Sequence, residues 1–268
     1  MSKSKYLFSN LDELKTFRDD IDTAIVTDID GTISKIAPTP DSAFVDPLIR
    51  KFLFKLVGKF KLVAAVSGRC VEDARQMLAI DGILYVGNHG LEYLKDGERY
   101  IEPEVVEILP YLNEVAQKIQ QEELSEIPGI IFEEKGVCFS IHYRQCKDSE
   151  KTKKMILDCL KNLESKDMKV TQGRRLVEIR PPVAYNKGSI LEKIIVDNNL
   201  KKVIYLGDDI TDVDAFDKIK EMVSLNKIKG ASIAVESEEV PEYVMDRADY
   251  LVNNVDQVGR FFQWLTEN

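Results

Sequence analysis

Residues 24–35 read AIVTDIDGTISK, and this stretch decides how the rest of the chain is read. Ala24, Ile25 and Val26 form an apolar run of the kind found in strands covered on both faces. The run ends in two acids, Asp28 and Asp30, followed by Gly31 and Thr32. A carboxylate at the mouth of a buried strand is costly unless something pairs with it. Residues two apart on a strand point the same way, so both carboxylates can face one site. Gly31 lets the backbone turn sharply and bring N–H groups close to a ligand. A strand that simply ends in acids and a glycine reads the same way, so these residues alone do not name the partner. The glycine comes too early for the calcium loop of an EF-hand.

Further apolar runs repeat the strand pattern: KLVAAVS (61–67), ILYVGN (83–88), KVIYLGDD (202–209), ASIAV (231–235) and DYLVN (249–253). Helical periodicity separates them. In DPLIRKFLFKLVGKF (46–60) the expected buried stripe is Leu48, Phe52, Leu53 and Leu56; in KGSILEKIIVDNN (187–199) it is Ile190, Leu191, Ile194 and Ile195. Alternating strands and helices predict an α/β fold with a doubly wound parallel sheet.

The middle of the chain departs from that rhythm. Residues 105–182 predict an inserted α+β unit, leaving 1–104 and 183–268 as the two halves of the core. A helix is expected over about 105–123, with Val105, Ile108, Leu109, Leu112, Val115 and Ile119 inward and Pro110 starting or kinking it. Strands follow in GIIFEEKG (129–136) and VCFSIHYR (137–144), then a helix carrying Met155, Ile156, Cys159, Leu160 and Leu163. MKVTQ (168–172) and RRLVEIRPP (174–182) close the unit as a hairpin around Gly173, with Pro103 and Pro181-Pro182 as hinges.

Composition narrows the function classes. The chain has 268 residues and a net charge of −9, which argues against a general nucleic-acid binder. No apolar run approaches the roughly 20 residues that span a bilayer, so no membrane partner is expected. Residues 1–23 are polar and lack the apolar stretch of a secretory signal. The four cysteines form no CxxC pair and read as reduced thiols, so a cytoplasmic protein is expected.

Three more polar clusters fall at strand ends or helix starts, where open α/β sheets bind ligands. Ser67-Gly68-Arg69 follows LVAAV; Ser67 suits either a phosphate oxygen or a helix cap. Lys187-Gly188 opens a helix, where an ammonium opposes the macrodipole and suggests a nearby anion, although a solvated surface lysine reads alike. Gly207-Asp208-Asp209-Ile210-Thr211-Asp212 follows VIYL; its acids suit a helix N-terminus or a hard divalent cation. Taken together, acids around Mg²⁺ with a serine and a lysine beside them fit the task of holding a phosphoryl group.

In this order the clusters resemble the motifs of the haloacid dehalogenase superfamily: DxDGT at 28–32, Ser67, Lys187 and GDDxxD at 207–212. The blocks SGR (67–69), GNHGLE (87–92), EEKGVCFSIHYR (133–144), LVEIRPPVAYNKG (176–188) and GDDITDVDAF (207–216) resemble more narrowly the trehalose-6-phosphate phosphatases. That resemblance implies a phosphoric monoester hydrolase acting through an aspartyl-phosphate. Asp28 would be the nucleophile and Asp30 the general acid and base. Mg²⁺ would be held by Asp28, the backbone carbonyl of Asp30 and Asp208, with Asp209 and Asp212 in support. Ser67, Gly68 and Lys187 would bind phosphate. Arg69, Glu133, Lys135, Arg144 and Glu178 would contact the sugar, and the inserted unit would act as a cap.

His142 reads equally as a core-edge residue, and His89 as packing beneath the site. Val213 departs from the family, which usually carries glutamate there, and would alter a contact behind the site. Sucrose-phosphate and mannosyl-3-phosphoglycerate phosphatases, or a non-catalytic sugar-phosphate sensor, are the alternatives. A trehalose-6-phosphate synthase, if it is a partner, would be a separate chain.

Overall fold

In a computed structural model of the protein, residues 4–121, 123–161, 163, 168–173, 175–237 and 240–267 are described. The chain starts with β1 (Lys5–Tyr6) and a short helix α1 (Lys15–Arg18) and then enters β2 (Thr23–Thr27). Helix α2 (Pro47–Lys59) leads to β3 (Leu62–Val66), and α3 (Val71–Leu78) to β4 (Ile83–Gly87). A hairpin of β5 (Glu92–Lys95) and β6 (Glu98–Ile101) comes next. Then follow α4 (Pro103–Val106), α5 (Leu109–Gln121), β7 (Ile131–Glu134), β8 (Phe139–His142), α6 (Ser149–Lys161), β9 (Lys169–Gly173) and β10 (Leu176–Arg180). The last third holds α7 (Lys187–Asp197), β11 (Lys202–Gly207), α8 (Ile210–Ser224), β12 (Lys229–Val235), α9 (Glu242–Met245), β13 (Tyr250–Val252) and α10 (Val255–Thr266).

Two compact units result: Met1–Arg99 with Tyr185–Asn268, and Tyr100–Ala184. The larger sheet has the order β1-β13-β12-β11-β2-β3-β4-β5-β6. Its strands from β1 to β4 in that order pair in parallel, and β5 returns antiparallel to β4. The chain winds outward from β2 through β3 to β4, then resumes on the other side of β2 with β11. Order therefore reverses at the β2–β11 pair, and ligands of open α/β sheets bind beyond the carboxyl ends at such a point.

Both faces of this sheet are covered, which is why its strands read as continuous apolar runs. Ile25, Val63, Ala65, Ile204 and Leu206 pack on one face with Leu53, Leu56, Phe261 and Phe262. Ala24, Val26, Ala64, Val66 and Tyr205 pack on the other with Ile190, Leu191, Ile194, Ile195 and Phe216. The α7 stripe is as expected. On α2 the buried stripe is Ile49, Phe52, Leu53 and Leu56, whereas Leu48 is 54% exposed. The i, i+3, i+4, i+7 spacing counts from Ile49, so Leu48 falls on the outer side.

The second unit is a four-stranded antiparallel sheet, β7-β8-β10-β9, with helices over one face. Its core holds Leu112, Val115, Ile119, Phe139, Ile141, Ile156, Leu160, Val177 and Ile179. The single helix expected over 105–123 is two: α4 stops at Val106, and α5 begins at Leu109 with Pro110 in its first turn. Proline lacks the N–H that an interior position must donate but is tolerated in a first turn, so it starts the second helix. β9 and β10 form the expected hairpin, with Leu176 opposite Gly173. Met155, expected inward on α6, is 38% exposed, while Ile156 and Leu160 are buried.

Candidate active site

The carboxyl ends of β2, β3 and β11 and the start of α7 bring the sequence clusters of the first unit together. Asp28 follows β2, and its N–H donates to the Leu206 carbonyl on β11 at 2.9 Å, so the ladder continues one residue past the strand. Gly31 has φ +86°, and a Cβ there would stand 1.9 Å from Asp208 Oδ2. Only glycine permits both the left-handed turn and this approach of the β2 loop to the β11 loop. Thr32 Oγ1 donates to Asp208 Oδ1 at 3.2 Å and fixes that carboxylate from behind.

Asp28, Asp208 and Asp212 each place a carboxylate oxygen within 4.8 Å of the others, and all three are buried. One buried cation faces them: Lys187 Nζ lies 3.0 Å from Asp28 Oδ2 and 2.7 Å from Asp212 Oδ1. Lys187, 2% exposed, is therefore an anion-paired interior residue and not a solvated surface lysine. Burial opposes its charge, but Asp212 and Asp28 outweigh burial and raise its pKa. Burial pushes the Asp28 carboxyl well above the usual carboxylate range; Lys187 opposes this, while Asp212, Asp208 and Asp30 add to it.

Asp212 has no free acceptor capacity. Its Oδ1 accepts from Lys187 and, at 2.6 Å, from the Tyr205 hydroxyl. Its Oδ2 accepts from the N–H groups of Asp208 at 3.1 Å and Asp209 at 3.0 Å. A carboxylate offers about four acceptor positions, and here all four are used. Asp212 thus acts as a scaffold for the 207–209 turn and for Lys187. Asp209 is the N-cap of α8; its N–H donates to Asp212, and its carboxylate lies outside the triad and accepts from Ile210 N–H at 2.6 Å. Val213 packs on the apolar cluster that includes α7 and α8, where a glutamate would meet hydrocarbon.

Asp30 stands apart from the triad. Arg69 Nε donates to its Oδ2 at 2.6 Å and Arg69 Nη2 to its Oδ1 at 2.8 Å, a two-pronged clamp. The same guanidinium donates to the Pro40 carbonyl at 3.2 and 3.3 Å. Ser67 is buried beside β2, and its Oγ accepts from Arg69 N–H at 3.1 Å. It does not cap α3: the N-cap is Cys70, whose Sγ accepts from Asp73 N–H. His89 lies against the loop: a Cβ on Gly68 would stand 2.8 Å from its Nε2.

A metal fits this donor set. The donors are three buried carboxylates, whose hard oxygens suit Mg²⁺. With Asp212 saturated, Asp28 and Asp208 are the side chains able to hold the ion.

The second unit carries its own polar cluster. Glu133, Ser140 and Glu178 are cross-strand neighbours in one row over β7, β8 and β10, on the face opposite the apolar core. Lys135 Nζ reaches Glu178 Oε1 at 3.2 Å and Glu133 Oε2 at 3.7 Å, and Ser140 Oγ donates to Glu178 at 3.3 Å. Burial works against the Lys135 ammonium, yet Glu178 and Glu133 raise its pKa. His142 Nε2 lies 2.6 Å from Glu133 Oε2 and belongs to this cluster rather than to the core edge. Arg144 is half-buried in the turn that follows β8.

One supporting residue carries no signal in the sequence: Tyr205 reads as one more apolar strand residue.

The sequence profile of the trehalose-phosphatase family matches residues 26–247, which contain every cluster above. The chain belongs to the trehalose-phosphatase family. Trehalose-phosphate phosphatase B of Arabidopsis thaliana is 30% identical over 260 residues, covering 90% of this chain and 65% of the relative. A trehalose-phosphate phosphatase of Mycobacterium tuberculosis is 33% identical over 203 residues, covering 73% and 51%. The chain thus spans about two thirds of the length of the plant relative and about half of the mycobacterial one. The solved C-terminal domain of a Candida albicans trehalose-6-phosphate phosphatase superposes with a TM-score of 0.79 at 20% identity over 99% of both chains, so the fold is shared.

Proposed function

We propose that this member of the family is a Mg²⁺-dependent phosphatase that releases phosphate from trehalose 6-phosphate through an aspartyl-phosphate. The observation that carries the reading is the buried Asp28–Lys187–Asp212 constellation with Asp208 beside it. Asp28 and Asp208 would hold the ion, which when bound would offset negative charge and let a carboxylate approach a phosphate dianion.

Asp28 attacks phosphorus, the bond to the sugar oxygen breaks, and the electron pair leaves with that oxygen. Asp30 gives the oxygen a proton. A water then attacks the phosphorus of the aspartyl-phosphate, Asp30 takes its proton, and Asp28 and inorganic phosphate are released. Lys187, Ser67 and the Gly68 N–H bind the remaining phosphate oxygens. Both oxygens of Asp30 accept from Arg69 in the substrate-free chain. Acid catalysis requires one prong of this clamp to open, and the sugar phosphate is the partner that draws Arg69 away.

The second unit acts as a cap in this reading. Glu133, Lys135 and Glu178 offer acceptors and donors in one row, the pattern that sugar hydroxyls need, with Arg144 nearby in sequence. Asp28→Asn tests the chemistry. It is expected to leave a folded chain with no turnover of trehalose 6-phosphate, and substantial residual turnover would remove Asp28 from the nucleophile role.

A further inference from the structure

The segment GNHGLE (87–92) carries a carboxylate that the chemistry above does not use. Glu92, the first residue of β5, is fully buried. Its Oε1 accepts from the backbone N–H of Val71 at 3.0 Å and from Asn88 Nδ2 at 2.6 Å. Its Oε2 accepts from Arg99 Nε at 2.7 Å, and the Arg99 side chain is 38% exposed. A buried carboxylate is retained at a cost unless such partners compensate it.

All but one of these bonds bear on the loop that carries Ser67. Asn88 N–H donates to the Arg69 carbonyl at 2.8 Å, and His89 N–H to the Ser67 carbonyl at 3.0 Å. Ser67 N–H donates to the Val86 carbonyl at 2.9 Å. The loop is thus held at Ser67, Arg69 and Val71 by Val86, Asn88, His89 and Glu92. Holding it requires backbone strain: Asn88 and His89 have φ of 49° and 56°, and non-glycine residues persist there only when their surroundings impose it. Gly87 marks how close the two segments come. A Cβ there would stand 2.6 Å from Val71 N, and 2.9 Å from both the Arg69 carbonyl oxygen and Glu92 Oε1.

We propose that Glu92 is a positioning residue for the phosphate-binding loop Ser67–Val71, with Arg99 as its counter-ion. The proposal rests on the reading of Ser67 and Gly68 as phosphate-binding residues. Glu92 fixes the first N–H of α3 and the Asn88 side chain at once, and these set where Ser67 and Gly68 point. Arg99 is the last residue of the first unit before the chain enters Tyr100–Ala184, so this pair also ties the departing strand β6 to the phosphate loop.

The experiment measures inorganic phosphate binding by calorimetry in Mg²⁺, together with KM and kcat for trehalose 6-phosphate. The variants are Glu92→Leu, Glu92→Gln and Glu92→Gln/Arg99→Met, each checked for folding by circular dichroism. A loop that binds phosphate alike in substrate and transition state affects KM more than kcat, so Glu92→Leu should raise KM and phosphate Kd about tenfold or more, with kcat within about threefold. The Gln amide can accept from Val71 and Asn88 but turns its NH₂ toward the Arg99 guanidinium. Glu92→Gln should therefore weaken phosphate binding, and adding Arg99→Met should restore it.

A folded Glu92→Leu chain with native phosphate Kd and KM overturns the proposal. Where Glu92→Leu does not fold, identical native Kd values for Glu92→Gln and the double variant overturn it instead. Native protein that binds phosphate but cleaves no sugar phosphate overturns the substrate reading and leaves the positioning role to the Kd series.

Discussion

Replacing Lys187 with methionine tests the electrostatics of the site most severely. Methionine keeps an unbranched side chain one atom shorter, so the main perturbation is the loss of one charge. That charge is 2% exposed and lies 3.0 Å from Asp28 and 2.7 Å from Asp212. Removing one partner of a buried ion pair leaves the other uncompensated, at about 3–5 kcal/mol. For a chain of this size each kcal/mol lowers Tm by about 2–4 °C, so Tm should fall by about 6–20 °C. The deficit should depend on pH. Lys187 opposes the upward push on the Asp28 carboxyl, so without the ammonium Asp28 favours its protonated form further and the variant should lose less at pH 5 than at pH 8. Added Mg²⁺ should recover part of the stability, since the ion supplies positive charge at the same acids. Activity should not return, because a donor to the phosphate oxygens is gone; kcat should fall about 10²–10³-fold. Calorimetric melts at both pH values with and without Mg²⁺, beside phosphate-release rates, make the assay. A variant melting within about 2 °C of the native chain at pH 8 would refute the view that Lys187 compensates the buried acids.

Three further outcomes are expected. Gly31→Ala should abolish turnover in a folded protein, since its Cβ would collide with Asp208 at 1.9 Å from a φ of +86°; native kcat in that variant would contradict the role given to the turn. Without a divalent cation, stability should fall as pH rises above 3.8, the ordinary value for Asp28, because the folded chain retains a proton there that the unfolded chain has lost. Saturating Mg²⁺ should flatten that slope, and an unchanged slope would place the ion elsewhere. Glu178→Ala should reduce kcat/KM for trehalose 6-phosphate far more than for an aryl phosphate, and equal losses on both would remove Glu178 from sugar recognition.

The sequence made some parts of the molecule plain and hid others, for physical reasons. Strands β2, β3, β4 and β11 are covered on both faces, so each needs an unbroken apolar run, and that run is visible without a structure. The hairpin of β5 and β6 lies toward the sheet edge and is largely polar, so its strands do not stand out. Its turn does carry a signal: Asp96-Gly97, with φ of 53° and 84°, is the Asp-Gly pair that tight hairpins favour. The acids after β2 and β11 are legible because charge beside apolar runs is anomalous. Their division of labour is not legible. Asp28, Asp208 and Asp212 converge while Asp30 pairs with Arg69; the turn at Gly31 and the close approach of Asp212 to Gly207, where a Cβ would stand 2.3 Å from Asp212 Cγ, are what permit it. The value of Asp212 as a scaffold depends on Tyr205, which sequence presents as an ordinary buried residue. Leu48 and Ile49 differ by one position, and apolar identity alone cannot assign which of two adjacent residues faces inward.

Phosphate release from a panel of substrates, with Mg²⁺ and with EDTA, tests the central claim most directly. The panel is trehalose 6-phosphate, glucose 6-phosphate, sucrose 6-phosphate, mannosyl-3-phosphoglycerate and an aryl phosphate. Rapid release from trehalose 6-phosphate, far above the others and abolished by EDTA, is the predicted result. Preference for another sugar phosphate would contradict the substrate assignment, and no release from any member would contradict the catalytic reading itself.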